Sequence, residues 1–278
     1  MTVCVAALCE NGRKIVSATD WRLSYGGVAS DAAAGKMIWF GDWQFMYAGI
    51  PDQTNLIFEE LRPRAKFDRA SVNDAVLDAY RKAKARFCAH AILSQYDLTM
   101  EEFKKEGLKI FGEETFARLT QAIERHGAYF NEHLLIAGFG DSPNAAHLFQ
   151  VGSDTSSPTL GGAAAIGSGA EIAMSTLVNL KQARYRSLGD TIYAVAAAKF
   201  SAEMADDDSI GPKTSIYISW KRTESDTEKP PGEFLAPEEI DELRAVWEEH
   251  GRPKMPDAAA PPLWKIVKRI KGSKYGQR

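Results

Sequence analysis

Val3 to Leu8 is an unbroken apolar, β-rich run and Lys14 to Thr19 is a second, with Glu10-Asn11-Gly12 between them. An Asn-Gly pair between two such runs predicts a β-hairpin. Met37 to Phe40 and Trp43 to Ala48 repeat the pattern around Gly41-Asp42, and the Gly- and Ala-rich stretch from Ser24 to Gly35 reads as a loop. After Pro51 the period changes to that of a helix, first over Asp52–Leu61, then over a longer stretch capped by Ser71 with Val72, Ala75, Val76, Ala79, Ala83 and Phe87 on one stripe. Thr99 and Glu102 have capping-box spacing and open helical sequence to about His126, which Gly107 and Gly112 divide.

Short strands then return at Leu134–Ala137, Ala146–Phe149 and Ala163–Ile166, followed by helices over 170–180 and 190–204 and a strand over Ser215–Trp220. Strands, helices, strands and helices in separate runs predict an α+β fold with helices layered on antiparallel sheets. Thr223 to Gly232 reads as a linker. Pro237 is placed as a first helical residue, with Ile240, Leu243, Val246 and Trp247 on one stripe of a short helix over 237–250. Ala258–Pro262 is a second linker, and the chain divides into a domain at 2–221 and an extension at 222–278.

Composition narrows the function classes. The 278 residues carry 34 Lys+Arg against 37 Asp+Glu, so no global charge favours nucleic acid or a membrane surface. The charge is uneven, however. From Gly251 onward eight bases stand against the single acid Asp257, leaving an acidic body and a basic tail. Leu263, Trp264, Ile266, Val267 and Ile270 interleave with tail bases and suit a short amphipathic helix, as they suit a solvated tail. Three cysteines, Cys4, Cys9 and Cys88, do not make a disulfide framework and read as core residues. No run approaches the about 20 apolar residues of a membrane span. Nothing resembles a signal peptide, and the expectation is a cytoplasmic protein without an integral membrane segment.

Most chemical motifs fail. The five histidines are scattered, so no metal or other cofactor is expected. Gly162 to Ser168 has the outline of a phosphate loop but lacks its lysine, which weakens a nucleotide-binding reading. The threonine after Met1 is the better lead. With Met1 removed, Thr2 would carry a hydroxyl nucleophile and, in its α-amine of pKa about 7.7–8.0, a base in one residue. Asp20 ends the second strand, Lys36 opens the third, and Ala48-Gly49 closes the fourth. Singly Asp20 reads as a turn residue and Lys36 as a solvated strand end. Their order along one hairpin pair is more specific.

With these residues in place, the chain resembles the β-type subunits of the proteasome family. In style it is closest to bacterial proteasome-like proteins such as the ancestral β-subunit and the ATP-dependent peptidase subunit. Thr2 falls at the family's N-terminal threonine, Asp20 at its acid, Lys36 at its lysine, and Gly49 at the glycine of the oxyanion hole. Ile166-Gly167-Ser168-Gly169 matches the G-S-G turn, where the serine supports the threonine amine. Asp206 and Ser209 match the last supporting pair, with Asp207 and Asp208 as alternatives for the acid.

The resemblance implies the N-terminal nucleophile hydrolase fold, a four-layer α-β-β-α sandwich of two antiparallel sheets. It also implies a threonine-type endopeptidase acting on peptides or unfolded protein, assembled as a ring or related homo-oligomer and fed by an ATP-dependent unfoldase. The first hairpin is two residues longer than the common pattern and the span from Lys36 to Gly49 is one shorter. The helical region over 97–126 is longer, and Ile210 stands where a glycine is usual. These departures leave open a catalytically weak or inactive proteasome-like scaffold, or a hydrolase of a non-peptide amide.

Overall fold

The structure, a computed structural model, describes residues 2–25, 28–30, 36–64, 67, 69–140, 146–152, 155–158, 161–205, 210–221 and 232–251. The first predicted hairpin is β1 (Val3–Cys9) with β2 (Lys14–Asp20), in register from Cys4 opposite Thr19 to Cys9 opposite Lys14. Its turn places Asn11 at φ 61° and Gly12 at φ 82°, the left-handed conformations that Asn and Gly adopt at least cost. The stretch read as loop contains a small hairpin, β3 (Leu23–Tyr25) with β4 (Val28–Ser30). Glycines between the two strands concealed that pairing from a periodicity reading. β5 (Met37–Phe40) and β6 (Trp43–Ala48) form the second large hairpin.

Helices α1 (Pro51–Leu61) and α2 (Arg69–Cys88) follow. Ser71 does not cap α2, because the helix opens two residues earlier at Arg69 and Ala70, both strong helix formers. Short turns over 89–96 lead to α3 (Met100–Gly127), whose Thr99–Glu102 capping box is formed as the spacing predicts. Of the two glycines expected to divide it, only Gly112 does so, at φ 73°. Gly107 stays helical, its missing side chain leaving room for Phe103 and Phe116 to close over it.

The rest of the chain supplies β7 (His133–Phe139), β8 (Ala146–Gly152), β9 (Thr155–Pro158), β10 (Ala163–Gly167), α4 (Ala170–Asn179), α5 (Leu188–Ala205), β11 (Thr214–Trp220), β12 (Gly232–Phe234) and α6 (Pro237–Val246). Strands β10-β1-β2-β11-β12 form one antiparallel sheet and β5-β6-β7-β8-β9 the other. Strands β9 and β12 are additions at the edges, the latter beginning on Gly232, which reads in sequence as linker.

Period-two alternation explains the layering. On β1 the even positions Cys4, Ala6 and Leu8 face the second sheet, against Met46, Ala48, Leu135, Ala137 and Leu148. The odd positions Val3, Val5, Ala7 and Cys9 face α4 and α5, so both faces are buried and the strand reads as a continuous apolar run. Alanines 194 and 196–198 let α5 approach that sheet closely. On the opposite face, Val72, Val76, Ala79, Tyr80 and Ala83 of α2 pack with Phe45, Leu134 and Ile136 of the second sheet. The architecture is therefore the four-layer α-β-β-α sandwich. Ile240 and Trp247, beyond residue 221, belong to the same core as β1 and α5.

Candidate active site

The Asp20 carboxylate is the hub of the site. It is fully buried at the end of β2 and accepts bonds on both oxygens. Oδ1 takes the Thr2 hydroxyl at 3.1 Å and the Val3 N–H at 2.9 Å. Oδ2 takes Lys36 Nζ at 2.9 Å, the Arg22 N–H at 3.0 Å and, more distantly, the Gly211 N–H at 3.5 Å. Lys36 is itself only 2 % exposed, so the pair is a buried ion pair with hydrogen bonds completing the carboxylate. Neighbouring strands produce this convergence. Thr2 precedes β1, Asp20 ends the adjacent β2, and Lys36 precedes β5 of the facing sheet.

Thr2 is held from its other side by the turn between β10 and α4. Gly169 N–H and the Ser168 hydroxyl donate to the Thr2 carbonyl at 3.4 and 3.5 Å. Gly167 has φ 95°, and a Cβ there would lie 2.1 Å from that same carbonyl oxygen, so this position requires glycine. Ile210, which stands where the family pattern has glycine, is fully buried, and its side chain fills the space beside Gly169.

Gly49 forms the opposite rim, at the turn between β6 and α1. Its φ is 157°, and a Cβ there would lie 2.1 Å from Glu132 Oε2. Glu132 is buried beneath this turn. Its Oε1 accepts the Ile50 N–H at 2.8 Å and its Oε2 accepts the Thr54 hydroxyl. Burial pushes its carboxyl up to about 7, opposed by those two donors. Among the described residues no cation pairs with it. Sequence reading missed Glu132, because a glutamate between a helix end and a strand reads as solvated. Its placement after Phe130 and before the apolar β7 was the available signal.

Between these rims lies a cleft of about 800 Å³. Its walls include Thr2, Lys36, Gly49 and Ser168, joined by Arg22, Tyr47, Asn131, His133 and Gln150. The structure thus brings together Thr2, Asp20, Lys36, Gly49 and Ser168. Asp206, Ser209 and the alternatives Asp207 and Asp208 lie outside the described residues, as do 222–231 and the basic tail over 252–278. Within the phosphate-loop outline over Gly162 to Ser168, residues 163–167 are strand β10 paired along β1. The three cysteines are buried and free, and burial raises the Cys4 thiol far above the ordinary range. No described helix is long and apolar enough to cross a membrane.

No family model and no curated protein sequence matches the chain. Solved structures do. A mutant of Anbu from Hyphomicrobium sp. strain MC1 superposes with a TM-score of 0.62 at 14% identity, covering 92% of this chain and 100% of its own. Anbu, the ancestral β-subunit, from Yersinia bercovieri superposes with a TM-score of 0.59 at 14% identity, covering 98% of this chain and 100% of its own. The fold is that of these bacterial proteasome-like proteins, as the resemblance in sequence implied.

Proposed function

We propose that this protein is a threonine-type peptidase subunit of a proteasome-like homo-oligomer. The observation that carries this reading is the Asp20 carboxylate receiving the Thr2 hydroxyl and the Lys36 ammonium on separate oxygens at the wall of an open cleft. Removal of Met1 would free the Thr2 amine. That amine takes the Oγ proton as Oγ attacks the scissile carbonyl carbon, and the Gly49 N–H receives the charge that develops on the carbonyl oxygen. The resulting ammonium returns the proton to the leaving amine as the C–N bond breaks, leaving an ester on Thr2. Water then adds by the same path and releases the carboxylic acid. Lys36 favours the developing alkoxide, and Asp20 fixes the position of its charge.

The anchoring of Thr2 by Gly167, Ser168 and Gly169 supports a nucleophile held in one place. Ile210 packs beside Gly169, which supports the reading that the departure there leaves the turn in place. A peptide or unfolded-protein substrate, ring assembly, an ATP-dependent unfoldase partner and a cytoplasmic location complete the proposal by analogy with proteasome-like proteins.

The test is direct. Intact mass of the purified protein should lack Met1, and Thr2→Ala should lower turnover of small peptide amides about a thousandfold or more, leaving the fold intact. Retained Met1, or undiminished turnover by the variant, overturns the mechanism.

A further inference from the structure

A second buried ionic cluster lies behind Asp20, and its outer member comes from helix α6. Lys199 of α5 has no exposure. Its ammonium bonds Glu203, one turn along, and donates to the Gly211 carbonyl at 2.8 Å and the Pro212 carbonyl at 3.4 Å. Arg244 of α6 grips the same Glu203 with both terminal nitrogens, at 2.9 and 3.1 Å, and donates to the Pro212 carbonyl at 2.9 Å. The guanidinium plane also rests 4.3 Å from the centre of the Phe200 ring. Two cations and one bidentate carboxylate therefore pin the backbone of Gly211 and Pro212. Gly211 in turn points its N–H at Asp20 Oδ2, the oxygen that holds Lys36.

Packing alone does not call for this arrangement. Burying Lys199 and most of Glu203 carries a desolvation cost, and apolar residues of similar volume would fill the same space without it. What charged groups supply here is direction: a planar fork from Arg244 and a point charge from Lys199 converge on two consecutive carbonyls. We propose that Lys199, Glu203 and Arg244 are positioning residues that set the Gly211 amide against Asp20, making helix α6 part of the active-site scaffold. The inference rests on Thr2, Asp20 and Lys36 performing the chemistry proposed above. None of the three lines the cleft. They act through one backbone segment on the carboxylate that orders Thr2 and Lys36.

The experiment compares the full-length wild type with Arg244→Ala and Arg244→Lys. It uses amide hydrogen exchange, thermal unfolding and peptide-amide kinetics with kcat and KM separated. Arg244→Ala should speed exchange at Gly211 while leaving β6, β7 and β8 protected. It should lower kcat about tenfold with KM within about twofold, as slight misplacement of catalytic groups does. Arg244→Lys keeps a cation without the fork and should recover part of kcat. Unchanged Gly211 exchange and kcat overturn the proposal. So does faster exchange spread evenly over both sheets with kcat falling only as the folded fraction falls, since that marks a merely stabilising helix. If the wild type hydrolyses no amide, the peptidase reading fails, and Gly211 exchange alone still decides whether Arg244 holds this segment.

Discussion

Two buried carboxylates flank the cleft and are treated oppositely by their surroundings. Asp20 meets an ammonium, a hydroxyl and three backbone N–H groups, so its charge is compensated where it sits. Glu132 meets one N–H and one hydroxyl, and no described cation, so burial dominates and its carboxyl rises to about 7. The difference separates two jobs. A permanently partnered anion orders Thr2 and Lys36, the groups to which the proposed mechanism gives the chemistry. A carboxyl raised to about 7 ties down a turn and, in the proposed mechanism, places less charge beside the oxyanion at Gly49 than an ordinary carboxylate would.

The largest effect should come from breaking the compensated side. Asp20→Asn leaves Lys36 buried without its counter-charge and should cost about 3–5 kcal/mol, read from denaturant midpoints, together with loss of amide turnover. Equal stability would mean that Lys36 finds another anion or reaches water.

On the other side the sign reverses. The folded protein keeps the Glu132 proton up to about pH 7, whereas the unfolded chain releases it near the ordinary value of 4.5. Between these pH values the folded state binds the extra proton, so the contribution of Glu132 to stability falls as pH rises through that window and then levels off. The gap from 4.5 to about 7 corresponds to about 3 kcal/mol. Glu132→Gln, which mimics the neutral acid, should match the wild type at pH 4.5, be more stable by up to that amount at pH 8, and flatten the slope between. An unchanged slope would show that Glu132 is ionised in the fold.

Gly49→Ala tests the contact between the turn and this carboxyl, because the added methyl falls where Glu132 Oε2 lies. Overpacking of this kind should cost about 1–3 kcal/mol, and adding Glu132→Ala to the same chain should recover part of it. Additive losses would separate the two residues.

The extent to which the molecule was legible in its sequence follows the same division. Strands of the two main hairpins, the Thr99–Glu102 cap and the helix opened by Pro237 were readable because their signals are local: alternation, turn residues and capping chemistry. Thr2, Asp20, Lys36 and Gly49 were readable as an ordered set because each lies at the end of such an element, whereas Ser168 entered only through the resemblance to proteasome β-type subunits. Glu132 was not, since its role depends on a turn more than 80 residues earlier in the chain. Nor was the cluster of Lys199, Glu203 and Arg244. Lys199 sits in an alanine-rich helix that gives no hint which of its polar residues is buried, and Arg244 belongs to a segment that reads as an appendage.

The sequence by itself determined the strands of the two large hairpins and the main helices, which positions turn inward, and that a hydroxyl, an acid and a lysine would be carried at strand ends. Those properties are set by backbone geometry and hydrophobic period within a few residues. Only the tertiary structure decided which charges are compensated. It placed Lys36 on Asp20, left Glu132 with two neutral donors, and brought Arg244 across to Glu203 and Pro212. Compensation depends on distance and burial, and both are properties of the packed layers rather than of any one segment.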